Sequence, residues 1–200
     1  MMKKLLHTKS APGRTLFRRR MATFMGPLEV VWAGEDRAAW SVVAITLPGA
    51  PPVALSAVPG KLLDFTGDPP GPVQKLEEDL RRYFEGERVD FALDRVPISR
   101  CRPFQRRVLM ETFRIPRGTT LAYGKLAERV GVPGAARAVG TALARNPFPL
   151  VIPCHRVIRS SGDVGRFGGG SDMKRALLRL EGVSFDAKGR VRPITRSAGL

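Results

Sequence analysis

The sequence predicts an α+β protein built in two parts. A small mixed N-terminal domain covers about residues 26–95, and a mostly helical C-terminal domain covers 103–185. Three observations carry this reading. Segments rich in Val, Ile and Trp lie before residue 50, and segments with helical spacing begin after residue 70. A helix, a tight glycine-containing turn and a second helix follow one another through "YGKLAERVGVPGAARAVGTALAR". The charge also changes between the parts: residues 26–100 hold eight bases and twelve acids, whereas 101–200 hold nineteen bases and six acids.

In chain order, residues 1–25 carry seven Lys/Arg and no acid and read as a basic arm. That arm is either a disordered terminus or a segment that grips phosphates. "LEVVWAG" and "AAWSVVAITL" read as strands. "GPVQKLEEDLRRYFEG" places Val73, Leu76, Leu80 and Tyr83/Phe84 at helical spacing, with Pro72 near its start and Gly86 past its end. "RVDFALDRVPISR" reads as a short strand and then a linker, 96–102. A helix restarts at Pro103, with Phe104, Val108 and Leu109/Met110 on one side, and stops at Pro116 and Gly118. The helix-turn-helix pattern is shared with any αα-corner; the basic charge of this half favours DNA. Its second helix opens with Ala135, Ala136 and Arg137, which suits close approach to a backbone or shallow groove with one projecting side chain. Gly168–Gly170 form a glycine run that lets backbone approach a ligand, or a flexible loop. Ser171 is the expected N-cap of a last helix with Met173, Leu177, Leu178 and Leu180 in its core face. Residues 186–200 read as a frayed basic tail.

The formal charge of +16 suggests a polyanionic partner, most often nucleic acid. Two cysteines and two histidines exclude a disulfide framework and argue against structural zinc, and they fit a reducing cytoplasm. No apolar run is long enough to span a membrane, and the start lacks the apolar segment of a secretory signal. An Arg-rich, acid-free start is compatible with a mitochondrial transit peptide. Twenty-six arginines against eight lysines point instead to a GC-rich bacterial genome.

The stretch "NPFPLVIPCHRVI" holds the candidate chemistry. A cysteine after Leu150, Val151 and Ile152 is usually a small buried hydrophobe. Cys154 is followed at once by His155, which could serve as its base, and by Arg156, whose positive field favours a thiolate. On an extended strand neighbours point to opposite faces, so the pair works only if the backbone turns or a water bridges it. Three prolines make an irregular backbone expected. A carboxylate is then needed to orient the imidazole, and Glu181 is a candidate. Three readings remain open at this point: a buried structural thiol in a DNA-binding domain, a cysteine hydrolase, and a DNA-acting enzyme with a thiolate nucleophile.

At these residues the chain resembles the O6-alkylguanine-DNA alkyltransferases, or methylated-DNA–protein-cysteine methyltransferases. "NPFPLVIPCHRVI" matches the family's active-site signature around Pro-Cys-His-Arg. "FQRRVLMETFRIPRGTTLAYGKLA", "AARAVG", "SSGDVGRFGGG" and the "LLRLEG" block stand at family spacing. The likeness covers about residues 70–183 well and 1–65 weakly. It implies a ribonuclease-H-like N-terminal domain joined to a winged-helix-like C-terminal domain with a helix-turn-helix. It implies Cys154 as alkyl acceptor, His155 as the base acting through a water, Glu181 as the group that orients His155, and Asn146 as the support of the turn. Arg137 would enter the duplex where the flipped nucleotide left, with Ala135 and Ala136 beside it. Tyr123, Pro149, Val157, Gly165, Phe167, Gly168 and Lys174 would meet the substrate. No cofactor and no metal are implied, and the partner is double-stranded DNA containing O6-alkylguanine, bound by a monomer. The expected activity is single-turnover transfer of the alkyl group to Cys154. The alternative is a lesion-recognition protein of the same fold with little transfer; the non-catalytic relatives of that class carry Trp where this chain has Cys154. Two departures stand out: Phe167 where the family often has tyrosine, and Gly168 where it often has serine.

Overall fold

The computed structural model describes residues 14–34, 40–50 and 60–192. The N-terminal half is a four-stranded sheet with one long helix. The strands are β1 (Arg14–Met21), β2 (Leu28–Ala33), β3 (Ser41–Thr46) and β4 (Gly60–Asp64), in the order β3-β2-β1-β4. β1–β2 and β2–β3 are antiparallel, and β1–β4 is parallel. Helix α1 (Gly71–Phe84) buries Val73, Leu76, Leu80 and Tyr83. The strand period of two splits β2 between faces: Val30 and Trp32 join the core shared with α1, while Val31 and Ala33 pack with Leu16, Val43 and Ala44.

The basic arm expected over 1–25 is corrected by β1. Residues 1–13 lie outside the described residues, but Arg14–Met21 is an inner strand of the sheet. Arg18, Arg19 and Arg20 are each matched by acids of neighbouring elements, Arg18 and Arg20 by their register partners Asp64 and Glu29. Arg20 pairs with Glu29 across β2, Arg18 binds both Glu29 and Asp64 of β4, and Arg19 reaches Gly67 O and Glu77. Cross-strand charge pairing explains how a run of three arginines sits in a sheet. Phe17, on the face shared with Trp32, stacks on Trp32, tilts against Trp40 and meets Phe65 edge to face.

The C-terminal half holds α2 (Pro103–Phe113), β5 (Leu121–Ala122), α3 (Tyr123–Arg129), α4 (Ala136–Ala144), β6 (Val157–Ile158) and α5 (Gly170–Leu180). α3 and α4 form the predicted helix-turn-helix. Gly131, at φ +78°, closes α3: its N–H bonds Glu128 O and the Val132 N–H bonds Ala127 O. Only a residue tolerant of the left-handed region completes that cap. β5 and β6 pair in parallel and tie the start of α3 to the segment after His155.

Three further expectations change. "RVDFAL" forms no strand; short 3₁₀ turns at Leu93–Arg95 and Ile98–Arg100 carry the chain instead. The N-cap of α5 is Gly169, and Ser171 lies inside the first turn, bonding Gly165 O. The tail is folded as far as Arg192: Phe185 and Val191 bridge, and the Val191 N–H bonds Gly162 O. Residues 193–200 lie outside the described residues.

One core cluster runs through both halves, from Leu28 and Trp32 to Ile152 and Leu177. Polar ties reinforce it. The Ile45 N–H of edge strand β3 bonds Pro147 O at 2.8 Å, and Arg117 bridges Gly86 O, Glu87 O and Leu180 O. Among the described residues no helix is long and apolar enough to cross a membrane.

Candidate active site

Residues 146–158 are irregular backbone held by side chains. The Asn146 amide donates to Ile152 O at 2.9 Å and accepts the Phe148 N–H at 3.0 Å. Leu150, buried, takes φ +74°, a conformation that costs a non-glycine residue about 1–2 kcal/mol. Pro153, at φ −79° and ψ 63°, is the centre of an inverse γ-turn closed by Cys154 N–H to Ile152 O at 2.8 Å. A 3₁₀ turn, Cys154–Arg156, follows directly. These two turns solve the problem of adjacency. Cys154 lines an open cleft while His155 points into the interior, fully buried.

His155 Nε2 lies 2.9 Å from Glu181 Oε1. Arg156 grips the same carboxylate as a fork, Nε to Oε2 and Nη2 to Oε1, both at 2.8 Å. Its third nitrogen donates to Ile115 O. Tyr83 Oη, from α1, donates to Glu181 Oε1 at 2.9 Å. Glu181 is the C-cap of α5, just past Leu180, where the helix dipole disfavours a negative charge, so it depends on these donors. Burial works to raise its pKa, yet the His155 and Arg156 hydrogen bonds hold it well below the usual carboxylate range. With Glu181 ionised, Nε2 carries the imidazole proton, and the lone pair is on Nδ1. Nδ1 is buried and has no hydrogen-bond partner among the described residues. Burial lowers the His155 pKa against the pull of Glu181, so the ring rests neutral and can accept a proton.

The Cys154 thiol is pushed up by burial, opposed by the Asn146 amide and the Lys174 ammonium. Lys174 is fully buried, donates to Val157 O at 2.6 Å and stands over the rings of Tyr123 and Phe167. Burial lowers its pKa to about 8, with Cys154 the main opposing influence. The cation beside the thiol is therefore Lys174. Arg156, expected to supply that field, is committed to Glu181 and Ile115.

The cleft has a volume of about 1080 Å³. Tyr123, Asn146, Pro149, Cys154, Gly165, Phe167 and Gly168 line it, with Arg137 and Ala136 of α4 at its edge. β3 and the loop after it contribute a wall of Ile45, Leu47 and Ala50, with Ala50 Cβ 3.7 Å from where a side chain at 168 would begin.

Residues 103–183 match the family model of the 6-O-methylguanine DNA methyltransferase DNA-binding domain. A methylated-DNA–protein-cysteine methyltransferase of Methanothermobacter thermautotrophicus is 48% identical over 120 residues, which are 60% of this chain and 67% of that protein. One of Mycolicibacterium paratuberculosis is 41% identical over 145 residues, 68% of this chain and 85% of that protein. The chain belongs to the methylated-DNA–protein-cysteine methyltransferase family. The crystal structure of Mycobacterium tuberculosis OGT in complex with DNA has a similar fold, with a TM-score of 0.66 and 35% identity over 83% of this chain and 93% of that one.

In this methyltransferase the residues singled out from sequence come together with two exceptions. Val157 does not line the cleft: its side chain is in the core, and its carbonyl holds Lys174. Ala135 is the N-cap of α4 and stands just outside the lining. Sequence reasoning missed Tyr83 and Arg117. Tyr83 was legible only as a core position of α1, because its hydroxyl partner lies 98 residues away.

Proposed function

We propose that this protein repairs O6-alkylguanine in DNA by moving the alkyl group onto Cys154. The reading rests above all on the buried pair of a neutral His155 and an ionised Glu181, in which the free Nδ1 belongs to the residue next to a cleft-lining thiol. His155 takes the thiol proton through a water, and Glu181 stabilises the imidazolium that results. The thiolate, held by Lys174 and Asn146, attacks the alkyl carbon in line. The C–O bond breaks as the C–S bond forms, and the guanine leaves with its electron pair on O6. The Gly168 N–H and the Tyr123 hydroxyl meet that charge. The product is a thioether with no residue able to cleave it, so each chain reacts once.

The base must leave the stack to reach the cleft. Arg137, exposed in the first turn of α4 at the cleft edge, suits insertion into the duplex, with Ala135 and Ala136 permitting close approach. Pro149, Gly165 and Phe167 form the walls around the base. The sheet with α1 reads as ribonuclease-H-like, and α2–α4 with the β5–β6 pair as winged-helix-like. A monomer acting on double-stranded DNA in a reducing cytoplasm fits this chemistry. The test is a duplex carrying radiolabelled O6-methylguanine. Stoichiometric label on Cys154 is expected. Tight binding without transfer would favour a lesion-recognition protein instead.

A further inference from the structure

We propose that Tyr83, supplied by the N-terminal half, is a positioning residue that fixes the Glu181 carboxylate on His155 and sets the pH at which the imidazole becomes a competent base. This rests on the reading of His155 as the base for Cys154.

The geometry is specific. Tyr83 is fully buried, and its hydroxyl lies 2.9 Å from Glu181 Oε1 and 3.4 Å from His155 Nε2. Oε1 is the oxygen that also receives His155. Tyr83 therefore competes with the imidazole for the same lone pairs. The phenol stays a donor at all working pH values, because burial and the Glu181 charge raise its pKa well above 10. Its ring is clamped by Phe84, Phe91 and the Arg117 guanidinium, 5.3 Å from the ring centre, and Arg117 also bonds Leu180 O beside Glu181.

Each donor on Glu181 disperses its charge and weakens its hold on an imidazolium proton. The groups that face His155 are Glu181 and Lys174 of the α5 region, Arg156 and Cys154 of its own turn, and Tyr83 of α1 with Arg117 behind it. α2, which also packs on this turn, buries Val108, Leu109 and Thr112, none of which titrates. Glu181 is the only anion in the set. Removing the Tyr83 donor concentrates charge on Glu181 and makes the imidazolium easier to form. The sign follows: a more basic His155 is protonated, and unable to accept a proton, up to a higher pH.

The test compares single-turnover transfer from O6-methylguanine duplex between pH 5 and 9 in wild type and Tyr83→Phe. The variant keeps the ring and removes only the hydroxyl. The acid limb of the rate profile should move up by roughly half a unit to one unit. Affinity for undamaged duplex should not change. Because the chain has two histidines, His7 and His155, the His155 ring can also be titrated directly by NMR with labelled histidine, in a Cys154→Ser background. The same upward shift is expected there. A uniform loss of rate at every pH, or a lowered melting temperature with an unmoved titration, would overturn the proposal and leave Tyr83 as packing. Failure of wild type to transfer would instead overturn the functional reading, while the NMR titration would still decide the role of Tyr83.

Discussion

At Cys154 burial and chemistry pull in opposite directions. Desolvation keeps the thiol protonated, and the groups that oppose it are Asn146 and Lys174. Replacing the sulfur by oxygen removes the only atom that ionises readily beside His155, so Cys154→Ser should abolish transfer and leave duplex binding near normal. Label appearing on Cys101 in wild type, or on the variant, would refute the assignment. Lys174 gives the alkaline side of the same balance. Its ammonium supports the thiolate, and its pKa is lowered to about 8 by burial. Transfer should therefore fall as pH rises through about 8. In Lys174→Met that limb should vanish, with a rate about tenfold lower at neutral pH, or ~1.4 kcal/mol. Phe167 adds a third test. It lines the cleft, edge-on to His155, so a hydroxyl placed there would be presented to a base bound as proposed. Phe167→Tyr should speed transfer by about tenfold or less, since in the proposed mechanism the Gly168 N–H already serves the leaving oxygen. Unchanged transfer with a lowered melting temperature would make Phe167 a packing residue alone.

Secondary structure carries the site in ways the sequence reveals unevenly. Helices α1, α2 and α4 were legible from periodicity and from Pro and Gly at their ends, because those signals are local. β1 was not, since "RTLFRRRM" looks like a charged tail until Glu29 and Asp64 are placed beside it. The Cys-His-Arg turn was legible as irregular from its prolines, yet the target of Arg156 depends on where α5 ends. That end is set by Gly182, at φ +87°, whose N–H bonds Arg179 O while the Val183 N–H bonds Leu178 O. Gly182→Ala should cost about 1–2 kcal/mol of stability in thermal unfolding, because the left-handed conformation penalises a Cβ. α4 makes a prediction of another kind. Arg137→Ala should slow repair in duplex far more than reaction with free alkylated guanine, which needs no extrusion. Equal loss on both substrates would place Arg137 in the pocket or in folding.

For the whole molecule, charge and core divide the labour. The positive field lies in the C-terminal half, since Arg18, Arg19 and Arg20 of β1 are matched by Glu29, Asp64 and Glu77. Duplex affinity should fall steeply with salt and vary little with sequence, as phosphate contacts dictate. Deleting residues 1–25 would remove an inner strand along with Leu16 and Met21. The expected result is loss of cooperative unfolding by calorimetry, and a folded, fully active truncation would contradict the role given to β1.

The span of the Tyr83–Glu181 bond, 98 residues, also has a consequence in time. Contacts so distant in sequence form late, after local helices and turns. A chain that has made its helices but not closed its halves can already set Glu181 on His155, 26 residues away, but lacks the Tyr83 donor. The base that serves the nucleophile of a protein that reacts once thus takes its final tuning from a late step of its own folding. The native pH profile of reactivity toward a small alkylating agent should return, on refolding, with the slowest phase rather than with the helical signal.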